Sequence, residues 1–237
     1  MIRTRLTVRL VAALAVPVLL AACTGAAAPT LPPIPSLAAE TPTPAATHPG
    51  PTYPPECPTA QPAPLAKGET RTVTLDTEKG KIVLKLTADL SPIATGNFTA
   101  LADCGYYDGV VFHRVVPGFV IQGGDGQFGR VPNVIPGLVG TGGPPYTIKD
   151  EPVTTAYHRG TLAMARTAAP DSVGSQFFIV LDDGAASALG DPKYNNYQIM
   201  GEVISGMDVV DAIGTAAGTQ ELPDNPVVIT KATVTKP

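Results

Sequence analysis

Prolines are concentrated in one part of this 237-residue chain, with 13 of the 26 lying between Pro29 and Pro64. A proline cannot donate a backbone hydrogen bond, and its ring disrupts a helix interior or a central strand. The same stretch has only two charged residues and few large apolar ones, so it cannot bury a core of its own. The prolines follow no sustained spacing, which argues against a docking ligand for a partner domain. We therefore expect a semi-rigid linker at 23–68 and one folded domain at 69–237.

The first 22 residues have the features of a targeting segment. Three arginines precede an uncharged, largely apolar run from Leu10 to Ala22, which is the basic-then-apolar order of a signal peptide. The run is short for a membrane span, and Pro17 disfavours a continuous helix there. We therefore predict that residues 1–22 are a cleaved signal peptide.

Cys23 follows Leu20-Ala21-Ala22, a sequence that resembles a bacterial lipobox. In that motif the cysteine is lipidated and becomes the first residue of the mature chain. The motif predicts an exported protein that is anchored to the bacterial cell membrane by a lipidated Cys23, with the linker between the membrane and the domain. The alternative is an ordinary cleaved signal peptide followed by a chance cysteine.

The charge balance argues against a nucleic-acid-binding protein. The chain has a formal net charge of −4, and removal of residues 1–22, which hold three arginines and no acidic residue, changes it to −7. An acidic domain has no bulk attraction for phosphate backbones. The three histidines have no metal-ligand spacing, and the chain contains neither a Cys-x-x-Cys pair nor a phosphate-binding loop. We expect no metal and no cofactor.

Alternating apolar residues predict two short strands at the start of the domain, with a hairpin turn at 78–80 between them. The apolar residues that would share one buried face are Val73, Leu75, Ile82, Leu84 and Leu86. A helix should follow, because Ser91 can cap its start, Pro92 suits the first helical position, and apolar residues recur at helical spacing up to Gly105.

The rest of the domain consists of short apolar runs separated by Gly, Pro and Asp clusters. The runs lie at 110–116, 119–122, 161–166, 176–181, 198–203 and 226–234. One more helix is predicted over 206–213. Many short strands with turn signals indicate a sandwich or a barrel, and periodicity alone does not choose between the two.

Two longer motifs resemble the cyclophilin family of peptidyl-prolyl isomerases. One runs from Val111 to Asp125 and the other from Gly174 to Val180. Further matching pieces are Asn97-Phe98 with Leu101, Gly140 to Pro144 with Tyr146 and Glu151, and Gly160 to Ala165, so that the resemblance covers 70–236. It implies an all-β fold, a closed antiparallel barrel of eight strands capped by two α-helices.

The resemblance also implies the catalytic residues. Arg114 matches the family's catalytic arginine, whose permanently charged guanidinium can meet the lone pair that the proline nitrogen regains in a twisted amide. Phe119 matches a residue of the pocket for the proline ring, and Gln122 matches the glutamine that hydrogen-bonds the substrate backbone. His113 would transfer no proton in such a reaction, and we expect a structural hydrogen bond there.

A groove for the rest of the peptide is implied in the same way. Val120 and Phe178 match further residues of the apolar pocket. Ala165, Arg166 and Gln176 match positions that receive the residues before the proline as an extended segment.

The chain departs from the family at several of these positions. It has no Trp, so the pocket-side tryptophan of the cyclosporin-sensitive members is missing, and Leu189 or a neighbour must fill that wall. Tyr197 stands where many members have histidine, and Arg166 where many have asparagine. The segment 126–139 is an insertion relative to the family. We expect isomerase activity with weak cyclosporin binding.

Cys57 and Cys104 remain as one pair in an oxidising compartment once Cys23 is lipidated. A disulfide between them would tie the end of the linker to the end of the first helix. Two free thiols are the alternative, because the sequence does not supply the distance between them.

These features predict a monomeric peptidyl-prolyl cis-trans isomerase that assists the folding of exported or envelope proteins and acts on proline-containing polypeptides. A membrane-tethered module that binds proline peptides with little turnover is the alternative. The presence of Arg114 together with the apolar pocket favours the enzyme, since binding alone would not demand the arginine.

Overall fold

The computed structural model describes residues 53–191, 196–215 and 222–236. The predicted signal peptide, the lipidation site Cys23 and most of the predicted linker lie outside the described residues. Within the described ranges the chain forms one antiparallel sheet of nine strands, together with three helices.

The strands follow the predicted apolar runs. They are β1 Thr70–Thr77, β2 Gly80–Thr87, β3 Val110–Val111, β4 Arg114–Val116, β5 Val120–Gly123, β6 Thr161–Met164, β7 Phe177–Val180, β8 Ile199–Ser205 and β9 Val228–Thr235. The helices are α1 Pro92–Asp103, α2 Asp183–Leu189 and α3 Met207–Gly214. The order of strands across the sheet is β3-β9-β1-β2-β8-β6-β7-β5-β4.

The prediction of a closed barrel of eight strands is wrong, because the nine strands form a strongly curled, open half-barrel. β3 and β4 are its two edges, and no ladder of the described residues pairs them. These strands are only two and three residues long, so each offers few backbone groups for pairing. The chain itself passes from one edge to the other through Phe112 and His113.

The prediction of two helices omits α2. This helix has only seven residues, too few for a helical repeat of apolar residues to stand out in the sequence. Asp182 caps it, and its carboxylate accepts a hydrogen bond from the backbone N–H of Ala185 at 2.8 Å.

α1 begins at Pro92 as predicted, but Ser91 makes no side-chain cap. Glu151 caps the helix instead, accepting hydrogen bonds from the N–H groups of Ile93 and Ala94 at 2.8 and 2.9 Å. A carboxylate suits the positive end of the helix dipole. Because Glu151 is distant in the chain, local pattern does not reveal this cap.

The core lies between one face of the sheet and the helices α1 and α3. The apolar residues predicted for β1 and β2 are all fully buried there. An aromatic cluster continues the core, with the ring of Phe98 centred 4.9 Å from Tyr107 and 5.2 Å from Phe177. This packing occupies one face of β4 to β7 and leaves the other face for the candidate site.

Residues 53–68, which the sequence assigns to the linker, lie against the domain. Cys57 and Cys104 form a disulfide with their Cα atoms 5.2 Å apart, the first of the two alternatives left open by the sequence. The ring of Tyr53 packs 5.7 Å from that of Tyr106. This part of the chain therefore has a defined position on the domain.

A second contact holds the same segment on α1. The N–H of Leu65 donates to the carbonyl of Pro92 at 3.1 Å. The segment passes so close to the helix that a Cβ added to Gly96 would lie 2.4 Å from the carbonyl oxygen of Ala63. Glycine is therefore required at this position for the segment to dock.

Candidate active site

The strands β4 to β7 separate the core from an outer face. On β5, Ile121 belongs to the core cluster, so its neighbours Val120 and Gln122 lie on the opposite face. On β7, Phe177 belongs to the core, and Phe178 takes the opposite face. The residues that the sequence singles out on these strands therefore share the outer face.

Three of the predicted site residues form a row across this face. Arg114 pairs with Gln122 in the β4–β5 ladder, and Gln122 pairs with Phe178 in the β5–β7 ladder. Ala163 on β6 continues the row opposite Phe178. Directly paired residues of antiparallel strands have their side chains on the same face, about 5 Å apart. Strand pairing thus brings a cation, an amide and an aromatic ring together.

Val120 is the first residue of β5, and Phe119 directly precedes the strand. Phe119 is 9% exposed and Val120 is 2% exposed, yet both lie outside the core cluster that the described residues form. A turn holds Phe119: its N–H donates to the carbonyl of Val116, and its carbonyl accepts from the N–H of Leu181, each at 2.9 Å. Val120 lies on the outer face with Gln122, and Phe119 adjoins it in sequence.

The side-chain amides of Gln122 and Gln176 are oriented by hydrogen bonds. Gln122 donates from Nε2 to Oε1 of Gln176 at 3.0 Å. Gln176 donates from its own Nε2 to the carbonyls of Gly140 and Gly142, both at 2.9 Å. Its backbone carbonyl accepts from the N–H of Ala165 at 2.8 Å. Two amides are therefore held in place along one side of the row.

Arg166 follows Ala165, and its guanidinium is engaged with the neighbouring loop. It lies 3.0 Å from the carboxylate of Asp150 and donates to the carbonyls of Thr167 and Ala169 at 3.1 and 2.9 Å. The side chain is only 9% exposed. It therefore braces the loop at 167–172, and its contact with a substrate stays a prediction.

Tyr197 packs against Phe178, with ring centroids 5.4 Å apart and planes at 88°. Tyr157 holds the backbone of Tyr197, donating its hydroxyl to the carbonyl at 2.9 Å and accepting from the N–H at 3.2 Å. Leu189 is 2% exposed at the end of α2, which packs on β7. An aromatic ring thus stands beside Phe178 in a chain without tryptophan.

His113, next to Arg114, is 5% exposed. Neither ring nitrogen meets the normal geometry of a hydrogen bond, yet interactions with Gln176 and with the backbone of Val111 both raise the pKa of the ring. The predicted structural hydrogen bond therefore stays a prediction. Burial lowers the pKa of His113 to about 4, against the opposing effect of the charge on Asp125. The ring is therefore neutral at pH 7 and does not add a second cation beside Arg114.

Asp125, for which the sequence suggests no role, holds both ends of the segment 126–139. Its fully buried carboxylate accepts hydrogen bonds from four backbone N–H groups. The donors are Gln127 at 3.0 Å, Phe128 at 2.8 Å, Gly140 at 2.7 Å and Gly142 at 3.0 Å. The sequence did contain a signal for this role, because Asp125 directly follows the apolar run that starts at Val120. A carboxylate buried beside a strand needs several hydrogen-bond donors.

The described residues contain no group of three or more His, Cys, Asp or Glu side chains that could hold a metal ion. In the same part of the chain, no helix has both the length and the apolar character needed to cross a membrane.

Comparison with known proteins places the chain in a family. The model of the cyclophilin type peptidyl-prolyl cis-trans isomerase family matches residues 72–234. A Brucella suis protein named "Probable peptidyl-prolyl cis-trans isomerase" is 40% identical over 167 residues, covering 69% of this chain and 82% of that protein. Peptidyl-prolyl cis-trans isomerase B of Escherichia coli is 39% identical over 172 residues, covering 69% of this chain and 99% of that protein.

Solved structures agree with this assignment. The crystal structure of a cyclophilin type peptidyl-prolyl cis-trans isomerase from Cryptosporidium parvum is similar, with a TM-score of 0.59 and 28% identity, over 71% of this chain and 99% of that one. A second crystal structure of that protein was determined in the presence of the dipeptide Ala-Pro. The chain therefore belongs to the cyclophilin-type family of peptidyl-prolyl cis-trans isomerases, and it is an enzyme of that class.

Proposed function

We propose that this chain accelerates rotation about X-Pro bonds in exported or envelope proteins, and that the row of Arg114, Gln122 and Phe178 is its active site. The row of these three residues is the main observation that supports the proposal. It combines a permanent cation, a hydrogen-bonding amide and an apolar ring on one face of the sheet. Catalysis of rotation about a prolyl amide needs a way to hold the proline ring and to stabilise the twisted amide, and this combination supplies both.

The reaction breaks no covalent bond. Its barrier of about 20 kcal/mol arises from amide conjugation, and the uncatalysed event takes tens of seconds or longer. In the twisted state the proline nitrogen regains a lone pair. A group that meets this lone pair only in the twisted state lowers the barrier, because it stabilises the transition state more than the substrate.

Arg114 supplies that group. Its planar guanidinium is always charged and has five N–H donors. The proline ring rests on Phe119, Val120 and Phe178, while Gln122 hydrogen-bonds the peptide backbone. An acceleration of about 10⁵ corresponds to about 7 kcal/mol, which a charge-assisted contact in a dry pocket and the positioning of the peptide jointly provide.

The rest of the peptide binds along the neighbouring positions. The residues before the proline lie along Ala165, Arg166 and Gln176 as an extended segment. Leu189 or a neighbour forms the wall that a tryptophan forms in other members, and Tyr197 stands beside Phe178 at the position where many members have histidine. Cyclosporin binding is weak for lack of that tryptophan.

The location of the activity follows from the sequence of residues 1–22 and from Cys23, whose lipid anchors the chain to the cell membrane. The disulfide between Cys57 and Cys104 supports the same location, because disulfides persist in oxidising compartments. The clients are proline-containing exported or envelope polypeptides, and the chain acts as a monomer.

NMR exchange spectroscopy on an Ala-Pro peptide tests the proposal. Residues 24–237 are added as wild type or as Arg114→Ala at equal concentration. We expect rapid cis–trans exchange with wild type and loss of most of the acceleration with the variant, whose circular dichroism should be unchanged. Binding of the peptide without acceleration by folded wild type would identify a tethered binding module instead.

A further inference from the structure

We infer that Arg159 is a positioning residue for the isomerase reaction, and that it holds Phe119 in the proline pocket through the backbone of Leu181. The inference rests on the proposed function, since it concerns the pocket that receives the proline ring. Arg159 lies in a turn just before β6. Its guanidinium has contacts on two sides, with α3 and with the backbone that follows β7.

On one side the guanidinium of Arg159 is fixed by α3. Its Nη1 and Nη2 donate to the two carboxylate oxygens of Asp211 at 2.9 and 2.7 Å, the paired geometry that a planar guanidinium favours. The helix itself cannot shift easily, because its Val210 and Ile213 are fully buried in the core. The guanidinium therefore has a defined position.

The ion pair alone would not make Arg159 important for the site. The two side chains are 39% and 48% exposed, and exposed ion pairs contribute little to the stability of a fold. Its effect on the pocket depends on the second contact of the guanidinium.

That second contact is with the backbone of Leu181, directly after β7. Nη1 of Arg159 donates to the carbonyl of Leu181. The N–H of Leu181 donates in turn to the carbonyl of Phe119 at 2.9 Å. A single residue, which is 5% exposed and belongs to the core cluster, therefore joins the guanidinium to Phe119 through two hydrogen bonds.

The turn between β4 and β5, which carries Phe119, lies directly against residues 181 and 182. Gly118 in this turn has a φ of +70°, and a Cβ added there would lie 3.4 Å from a carboxylate oxygen of Asp182. Asp182 caps α2. The position of Leu181 and Asp182 therefore sets the position of the turn and of Phe119.

Replacing the side chain of Arg159 should leave its backbone in place. The N–H of Arg159 donates to the carboxylate of Asp183 at 2.9 Å, and the N–H of Gly160 donates to the carbonyl of Val180 at 2.9 Å. Neither bond involves the guanidinium. We therefore expect a variant at this position to fold and to differ from wild type at the turn that carries Phe119.

The kinetic consequence follows from what Phe119 does. It holds the proline ring in the planar substrate and in the twisted state alike, so its displacement weakens both to the same extent. A loss of that kind raises KM and leaves kcat nearly unchanged.

Exchange rates of an Ala-Pro peptide at several concentrations test this with residues 24–237, which include every described residue. Arg159→Met keeps an unbranched stem without donors, and we expect it to raise KM about threefold to tenfold. Arg159→Lys, which keeps the charge but not the planar donors, should cause a smaller increase. The matched control is Lys231→Met, which removes an ion pair with Asp108 on β9 and should change neither constant.

Amide hydrogen exchange shows whether the effect passes through Leu181. In Arg159→Met, exchange at the amide of Leu181 should rise by more than exchange at the amide of Leu84, a fully buried residue of β2. Equal increases at the two amides would indicate a general loss of stability and overturn the inference. An unchanged KM, or a fall in kcat alone, would overturn it as well.

Asp211→Asn provides the test if Arg159→Met does not fold. It removes the charge that fixes the guanidinium and leaves the guanidinium in the chain. We expect KM to rise about twofold, because the bond to Leu181 is weakened rather than lost. A KM equal to that of wild type would then refute the positioning role.

The wild-type measurement separates this inference from the proposed function. Normal acceleration by wild type, with an unchanged KM in Arg159→Met, would refute the positioning role and leave the isomerase intact. Absence of acceleration by wild type would refute the proposed function and, with it, the role of Arg159.

Discussion

Arg114 and Gln122 lie directly opposite each other where β4 pairs with β5. Both side chains therefore share the outer face of the sheet, and Gln122 is held in turn by Gln176 at 3.0 Å. The hydrogen-bonded register of β4 and β5 is rigid, and it sets the spacing between the guanidinium of Arg114 and the amide of Gln122. A site built on paired strands keeps the geometry that catalysis of a rotation needs without the cost of ordering a loop.

The guanidinium of Arg114 should matter for its shape as well as its charge. We expect Arg114→Lys to lower kcat/KM by about tenfold to 100-fold and Arg114→Ala by about 100-fold to 1,000-fold, because both lose the planar set of donors and alanine also loses the charge. The loss should appear in kcat, with KM nearly unchanged. Exchange rates of an Ala-Pro peptide at several concentrations measure both constants, and a purely KM effect would argue for a binding role.

The disulfide between Cys57 and Cys104 should contribute strongly to stability. It joins residues 47 apart in sequence, and closing a loop of that length stabilises a fold by about 4 kcal/mol. Replacing both cysteines by serine should lower the free energy of urea unfolding by about that amount. The intact mass of unreduced wild type should be lower than that of reduced protein by two hydrogens, and equal masses would exclude the bridge.

His113 should make the stability of the domain depend on pH. Burial lowers its pKa to about 4 in the folded state, while the unfolded chain protonates near pH 6.5. Between these values the unfolded state binds more protons, so stability should fall as the pH drops from about 6.5 to 4, by about 3 kcal/mol in all. Urea unfolding at pH 7, 5.5 and 4.5 measures this loss.

A pair of variants isolates the contribution of His113. His113→Gln removes the titrating group and should flatten the dependence between pH 6.5 and 4. His158→Gln, which replaces a histidine whose side chain is 54% exposed, should leave it unchanged. Identical slopes for wild type and His113→Gln would show that other groups cause the acid sensitivity.

Asp125 should stabilise the base of the segment 126–139 and, through it, the groove. Asp125→Ala leaves four backbone N–H groups without their acceptor, which should destabilise the fold by about 3 kcal/mol or more. Amide hydrogen exchange should rise most at 126–142, and the KM for a proline peptide should rise because Gln176 bonds to the carbonyls of that segment. Asp224→Ala, at an exposed aspartate, is the control and should change neither property.

Local elements could be predicted where a pattern of a few residues determines them. The alternation in β1 and β2 marked both strands and their buried face, and Pro92 marked the start of α1. α2 was missed because seven residues are too few to show a helical period. The cap of α1 was assigned to Ser91 but belongs to Glu151, because an acceptor 58 residues away leaves no local signal.

The sequence by itself predicted that the first part of the chain cannot build a core and that the domain consists of short strands. Through its resemblance to the cyclophilin family it also indicated candidate site residues, Arg114, Gln122 and Phe178 among them. Only the tertiary structure decided that these three form one row, that the sheet stays open, that Cys57 meets Cys104 and that Asp125 holds the segment 126–139. The physical reason is the distance along the chain over which each kind of interaction acts. Backbone geometry and apolar period act over a few residues, whereas register, disulfide distance and buried hydrogen bonds depend on segments that are far apart in the chain and meet only when the core is packed.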